Sequence, residues 1–593
     1  MIRGLQSTPS TLAAGCRLLF CCVVLCFAHR AGAASLPAIE SDQFMVVSAQ
    51  HLAAEAGAKM LREGGNAIDA AVAIGYAEAV TNPCCGNIGG GGFLLAHFAD
   101  ARDVFVNFRE TAPAAANPTM YLSEDGNVIP GASLHGWHAA GVPGTVLGLD
   151  TALTRYGSLP RSVVMAPAIR LAREGFILER ADTDILARST ALLRQQDSVA
   201  RVFLRPDGSP FRPGDRLVQR DLADTLEEIA TKGPDAFYKG RVATAIEHDS
   251  DGALTATDLA AYHVTETKPV TCSYRGLTVV SAPPPSSGGV ALCEILEILD
   301  SYDMHRLGYH SAQSVHVMTE AMRHAFVDRN DFLGDPEFVS NPVAALLSRE
   351  HVDAIRSAIT DRATPSSAVF AGLAPHEHPQ TTSFSVLDHA GNAVAVTYTI
   401  NGGFGAGVMP NAAGFLMNNE MDDFTIKSGV ANHYGLVQGA ANAIAPGKRP
   451  LSSMAPTIVL RDGKVAMVLG SPGGSRIISI VLETILNLVD YGMTPQEAVD
   501  APRFHHQWLP DTIFAERYAL SPDTVTALRA MGYTITEQNN WGAVALIAAV
   551  TPVEEKATQD RFVADSAASG TMRAEMIYGA IDARRPAGAA IGR

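Results

Sequence analysis

The sequence predicts a large α/β protein whose first half is rich in helices and whose second half opens on a strand. Three observations carry that expectation. The apolar content is high, two alanine-rich helical runs lie near the start, and the periodicity changes abruptly near residue 381. Hydrophobic residues make up 47% of the 593 and charged residues 18%, so a chain of this length can bury one large core or two ordinary ones.

The first 33 residues stand apart from that body. Arg3 and Arg17 precede an apolar run over residues 18–28, which ends near the small-residue sequence Ala31-Gly32-Ala33. This is the layout of a secretory signal peptide cut after Ala33. The run is about half of the roughly 20 residues that a spanning helix needs. No second apolar stretch is long enough to cross a bilayer, so the expected product is exported to the periplasm or the exterior with no membrane span.

Removing residues 1–33 takes away Arg3, Arg17 and Arg30 and no acid, which moves the formal charge from -16 to -19. That acidity argues against nucleic acid as a partner. Cys16, Cys21, Cys22 and Cys26 leave with the signal, so Cys84, Cys85, Cys272 and Cys293 remain. Four cysteines allow three pairings, and the sequence selects none of them. All four read as structural.

Residues 51–80 read as two helices broken at Gly64-Gly65. The glycine run Gly89-Gly90-Gly91-Gly92 then opens into a strand over residues 93–98. The run reads as close backbone packing rather than a phosphate loop. Helix-rich sequence fills residues 160–263, and another helix follows the turn at residues 283–289. Residues 361–380 hold prolines and small polar residues that oppose regular structure and read as a linker. The arginine- and alanine-rich tail after Asp582 reads as loose.

Immediately after the linker, residues 381–388 and 393–400 alternate around the turn signal His389-Ala390-Gly391-Asn392, which predicts a β-hairpin. Symmetry about Ala390 pairs residues whose numbers sum to 780, so Thr381 faces Thr399. Thr381, Ser383, Ser385, Ala395, Thr397 and Thr399 then share one face, and Phe384, Val386, Val394, Val396 and Tyr398 share the other. A strand over residues 465–469, the turn Gly470-Ser471-Pro472-Gly473-Gly474-Ser475 and a helix over residues 476–491 follow.

Threonine at the head of a strand is ordinary. Its position behind a cuttable linker is not, because one way to activate a threonine hydroxyl is the free α-amine of that same residue. The stretches at residues 108–110, 380–386, 391–399, 418–424, 449–454, 470–475 and 501–508 resemble, in order and spacing, the motifs of the γ-glutamyltransferase (γ-glutamyltranspeptidase, glutathione hydrolase) family of N-terminal-nucleophile hydrolases. The resemblance runs from about residue 40 to 580.

That resemblance implies an α+β fold, a four-layer αββα sandwich formed jointly by two autoproteolytic subunits, 34–380 and 381–593. It implies cleavage between Gln380 and Thr381, with Thr381 as nucleophile and Thr399 hydrogen-bonded to it. It also implies an oxyanion hole at Gly473 and Gly474, where glycine N–H groups can approach a developing negative oxygen. Arg109, Ser452 and Ser453 match the partners of the substrate carboxylate, while Asn401, Glu420 and Asp423 match the groups around its ammonium. Tyr434 resembles a lid residue. Implied partners are glutathione and other γ-glutamyl compounds, with amino acids or peptides as acceptors, and no cofactor is implied.

Three motifs are set aside. His376-Glu377-His378 lacks the HExxH zinc spacing, adjacent His505 and His506 fall on opposite faces of a strand, and no GxSxG serine elbow occurs. The sequence departs from the family pattern at Ser383, commonly histidine, at Gly402-Gly403 after Asn401, and at Ile581-Asp582-Ala583-Arg584. The first two bear on acceptor preference if they border the acceptor side. Two other readings remain, a glutaryl or cephalosporin acylase on the same fold and a non-catalytic exported binding protein. The acylase fits poorly with Glu420 and Asp423, and the binding protein predicts an uncut chain.

Overall fold

A computed structural model describes residues 35–369, 381–549 and 576–593. Residues 1–33, expected to be a signal peptide, the His376-Glu377-His378 motif and Gln380 lie outside the described residues.

Alternation of side chains along short strands builds two antiparallel seven-stranded sheets. One runs in the order Ile39–Ser41, Ile577–Ile581, Ala545–Ala549, Lys464–Gly470, Thr457–Arg461, Leu277–Ser281, Val270–Tyr274. The other runs Ala589–Gly592, Met45–Ser48, Thr382–Leu387, Ala393–Thr399, Gly91–His97, Asp103–Phe108, Thr265–Thr267. The hairpin has the anticipated register, with Thr382 opposite Tyr398 and Ser383 opposite Thr397.

Phe384, Val386, Val394, Val396 and Tyr398 face outward into a core shared with the helices His51–Arg62 and Ala67–Thr81. The second of these helices is buried on every side, as its all-round apolar sequence requires, and Asn66 and Asp69 close a capping box at its start. On the inner face Ala395 and Ala393 pack toward the other sheet, whose far side is covered by Gly288–Leu299, Ala312–Phe332 and Ile477–Val489. Helices, two sheets and helices again make the αββα sandwich, and the fold is the four-layer α+β sandwich expected.

The glycine run packs as anticipated. A Cβ on Gly90 would lie 1.9 Å from the carbonyl oxygen of Thr399, and one on Gly89 2.1 Å from that of Leu416. The four cysteines form two bridges, Cys84–Cys85 and Cys272–Cys293. The second ties the strand Val270–Tyr274 to the helix Gly288–Leu299.

Two expectations are corrected. The tail is not loose, because Ala589–Gly592 pairs with Met45–Ser48 and Gln43 N–H donates to the Arg593 carbonyl at 2.9 Å. A sheet edge gives a short alanine-rich segment the hydrogen bonds that its own side chains cannot supply. The linker likewise contains a helical turn, Ser366–Val369. Its Ser366 N–H donates to Asp511 at 2.7 Å, and the Ser366 hydroxyl donates to the Trp508 carbonyl at 2.6 Å.

Candidate active site

The hairpin's inner face carries hydroxyls, and its open end carries Thr381. The next residue is held from behind, since Thr382 Oγ1 donates to buried Glu78 and accepts from Asn82 Nδ2, both at 3.3 Å. Thr381 and Thr399 line one pocket with Arg109, Asn401, Glu420, Asp423, Tyr434, Ser452, Ser453 and Gly474. Nearly every residue that the sequence marked for the site converges there. Gly473 stands one position away and Gln380 is outside the described residues.

The loop after the Ala393–Thr399 strand turns sharply at Asn401, whose φ of 68° is left-handed and tolerated by asparagine. Asn401 N–H donates to Thr399 Oγ1 at 2.8 Å, its side-chain amide donates to the Asn419 carbonyl at 3.0 Å, and its own carbonyl accepts from the Tyr434 hydroxyl at 2.9 Å. These bonds fix Thr399, Asn401 and Tyr434 relative to one another.

Gly473 (φ 151°) and Gly474 (φ 55°) form the turn before the helix Ile477–Val489. A Cβ on Gly474 would lie 2.4 Å from the Tyr434 ring. Glycine is therefore required there twice, for its backbone angle and for its missing side chain.

Arg109 leaves the end of the strand Asp103–Phe108 and is 1% exposed. Its Nε donates to the Pro450 carbonyl at 3.2 Å, its Nη1 to Glu420, and its Nη2 to Asp423 at 2.5 Å. The sequence reading gave the arginine to one pole of a substrate and the two acids to the other. In the pocket these poles are bonded to each other.

Burial works against the charge on Arg109, but Glu420, Asp423 and Glu110 outweigh it and hold the guanidinium firmly protonated. Burial pushes the Glu420 carboxyl up against the pull of Arg109. Glu110, with both oxygens lacking hydrogen-bond partners, is pushed up to about 7 by burial, again opposed by Arg109.

The sequence missed Arg329. It lies on the helix Ala312–Phe332, is 1% exposed, and donates to Ser453 Oγ at 3.2 Å and Ser287 Oγ at 3.0 Å. Burial lowers it to about 10, with Asp423 pulling upward. Nothing local marks it, because its role depends on a loop more than a hundred positions away. Ser452 accepts from Met454 N–H at 3.1 Å and holds the Ser287 hydroxyl through its carbonyl at 2.7 Å.

Ser383 does not border the pocket. It is buried between the sheets, donating to the Val396 carbonyl at 3.0 Å, with its hydroxyl 2.3 Å from where a Cβ on Gly470 would stand. A departure at that position bears on sheet packing rather than on acceptor contact. Gly402 lies against Asn419, which accepts from its N–H at 2.8 Å. His505 bonds Ser479 and Gln507, while His506 turns to Asp511, so the two histidines share no ligand.

A paired-sheet sandwich with a threonine at the mouth of a central strand is the N-terminal-nucleophile hydrolase fold. The chain belongs to the gamma-glutamyltranspeptidase family, which it matches over residues 53–570. It is 50% identical over 582 residues to a glutathione hydrolase proenzyme of Pseudomonas sp. (strain A14), covering 97% of this chain and 99% of that one. The glutathione hydrolase proenzyme of Escherichia coli (strain K12) is 47% identical over 515 residues, 86% of this chain and 88% of the other. Among solved structures, cephalosporin acylase from Bacillus halodurans superposes with a TM-score of 0.79 at 26% identity, covering 95% of this chain and 98% of that one. Among the described residues, no helix is long and apolar enough to cross a membrane.

Proposed function

We propose that this chain is a self-processing γ-glutamyl hydrolase and transferase with glutathione as donor. One observation carries the reading: Thr381 and Thr399 share a pocket with two arginines, two acids and two serines that suit a zwitterionic amino-acid head. In the precursor Thr381 Oγ attacks the Gln380 carbonyl carbon, the peptide C–N bond breaks as the ester forms, and the nitrogen leaves as the Thr381 amine. Water then cleaves the ester, giving subunits 34–380 and 381–593 that remain one heterodimer.

In the mature enzyme the Thr381 amine takes the hydroxyl proton while Oγ attacks the γ-amide carbon. The N–H groups of Gly473 and Gly474 receive the developing oxyanion, with the positive end of the following helix behind them. The proton passes to the leaving amine. The Thr381 ester is then opened by water or by the amine of an amino acid or peptide.

Arg109, Ser452 and Ser453 hold the α-carboxylate, and Asn401, Glu420 and Asp423 surround the α-ammonium. A substrate enters by replacing the internal Arg109 pairing with its own opposite charges. Tyr434 covers the head group and limits water. Export follows from the signal layout, and two disulfides suit an oxidising compartment.

The acylase reading draws support from the likeness to cephalosporin acylase. Against it, a glutaryl group has no ammonium to meet Glu420 and Asp423. A denaturing gel with N-terminal sequencing, then assays on γ-glutamyl and glutaryl amides, tests the reading. Two bands with Thr381 leading the smaller, and turnover of γ-glutamyl amides, are expected. An uncut chain would favour the non-catalytic reading, and preference for glutaryl amides the acylase.

A further inference from the structure

Away from the pocket, three helices bring Glu294, Asp328 and His351 together. They belong to Gly288–Leu299, Ala312–Phe332 and Arg349–Ala358. One ligand atom from each lies within 4.8 Å of the other two, and this is the group of that kind found among the described residues. His351 Nε2 stands 2.7 Å from Asp328 Oδ2 and 3.7 Å from Glu294 Oε1. Ligands about 2.0–2.2 Å from a shared ion stand roughly 3.0–3.5 Å apart. The two spacings straddle that range, so a small rotation of the imidazole would equalise them.

Glu294 supplies a second and independent observation. It is 1% exposed, and its Oε1 has no hydrogen-bond partner although it faces the gap. Buried carboxylate oxygens are ordinarily satisfied, and an orphan in a native fold calls for an explanation such as an ion. Neither Glu294 nor Asp328 pairs with an arginine or lysine among the described residues; the group they share is His351. The His351 side chain is 32% exposed, which leaves an entry path and room for water to complete a coordination shell.

We propose that Glu294, Asp328 and His351 form a divalent transition-metal site, with Zn²⁺ the ion that one imidazole and two carboxylates suit best. The imidazole argues against Mg²⁺ and Ca²⁺, which prefer all-oxygen shells. Metal binding requires both carboxylates and the imidazole in their deprotonated forms. The ion would clasp the three outer helices, and on the Ala312–Phe332 helix Asp328 directly precedes Arg329, which reaches Ser453 in the pocket. No sequence motif announces such a site, because each ligand comes from a different helix.

The test uses the whole purified enzyme after chelator treatment. Calorimetric titration with Zn²⁺ and elemental analysis after dialysis should find one ion per chain, and thermal melts should shift upward with Zn²⁺. His351→Gln should weaken binding by at least about tenfold, the loss typical even for groups that only support a ligand, and should abolish the thermal shift. Because His351 is part-exposed, that variant is expected to keep the circular dichroism of the wild type. Glu294→Gln, a near-isosteric change, should act the same way. Absence of Zn²⁺ binding to the wild type, or unchanged stoichiometry and affinity in both variants, overturns the proposal.

Discussion

Two buried charge clusters meet the same helix, and they are balanced in different ways. Around Arg109 three carboxylates face a guanidinium, with Arg329 close by. Around Asp328 two carboxylates face only a part-exposed histidine. Burying an ion costs several kcal/mol unless a partner repays it. The first cluster carries its own counterions, which suits the proposed exchange for those of a zwitterion. The second lacks a permanent cation and must hold protons or a metal, which makes it a clasp.

Changes that strike the chemistry of the first cluster should have the largest effect. Thr381→Ala is expected to leave a single uncut band on a denaturing gel and to lower kcat by about 10⁴-fold or more. Arg109→Met strands Glu420 and Asp423 in a buried site. Truncating one partner of such a pair costs about 2–5 kcal/mol, so kcat/KM on a γ-glutamyl amide should fall accordingly, mostly through KM. A KM within twofold of the wild type would remove Arg109 from the head-group role.

Smaller effects separate the rim of the pocket from its centre. Gly474→Ala forces a methyl against Tyr434 at a left-handed φ, and kcat should fall about tenfold or more. Tyr434→Phe removes the hydrogen bond to the Asn401 carbonyl, worth about 0.5–1.5 kcal/mol, and should cost a few-fold in rate while shifting product toward hydrolysis.

The smallest effect tests the clasp through its protons. The neighbouring Glu294 carboxyl leads the causes that raise His351 to about 9, with Asp328 adding to it, and burial raises Glu294 to about 8. The groups facing them are Asp328 and, on the same helix, His324. Both folded values exceed the unfolded ones, so the metal-free native state binds more protons and loses stability as pH rises. For His351 that loss runs from about 6.5 to about 9. Melting temperature in chelator should fall across this range in the wild type and fall less in His351→Gln. Parallel curves would mean that the cluster does not titrate there.

Much of the fold and site was legible in the sequence for reasons that can be named. The hairpin register followed from the period of two and a symmetric turn, and the structure pairs Thr382 with Tyr398 accordingly. The helices on either side of Gly64-Gly65 followed from their alanine-rich composition and the glycine break between them. The strands of the first half, such as Met45–Ser48 and Asp103–Phe108, were not read, because strands buried on both sides lose the alternation that marks them. The tail strand was missed because alanine and glycine carry little strand propensity, and its edge position supplies what propensity does not. Ser383 was misplaced for another reason: the face of a strand says which layer a side chain enters, not whether it lies near the layer's mouth.

By itself the sequence determined the elements that depend on neighbours in the chain: the hairpin and its two faces, the glycine turns, and the residue types grouped in each motif. Tertiary structure decided what depends on partners far along the chain. It bonded Arg109 to Glu420 and Asp423, brought Arg329 to Ser453, paired the four cysteines, and gathered Glu294, Asp328 and His351 from three helices. The division has a physical cause. Backbone period and turn chemistry act over a few residues, whereas buried charges find their partners only when the layers close.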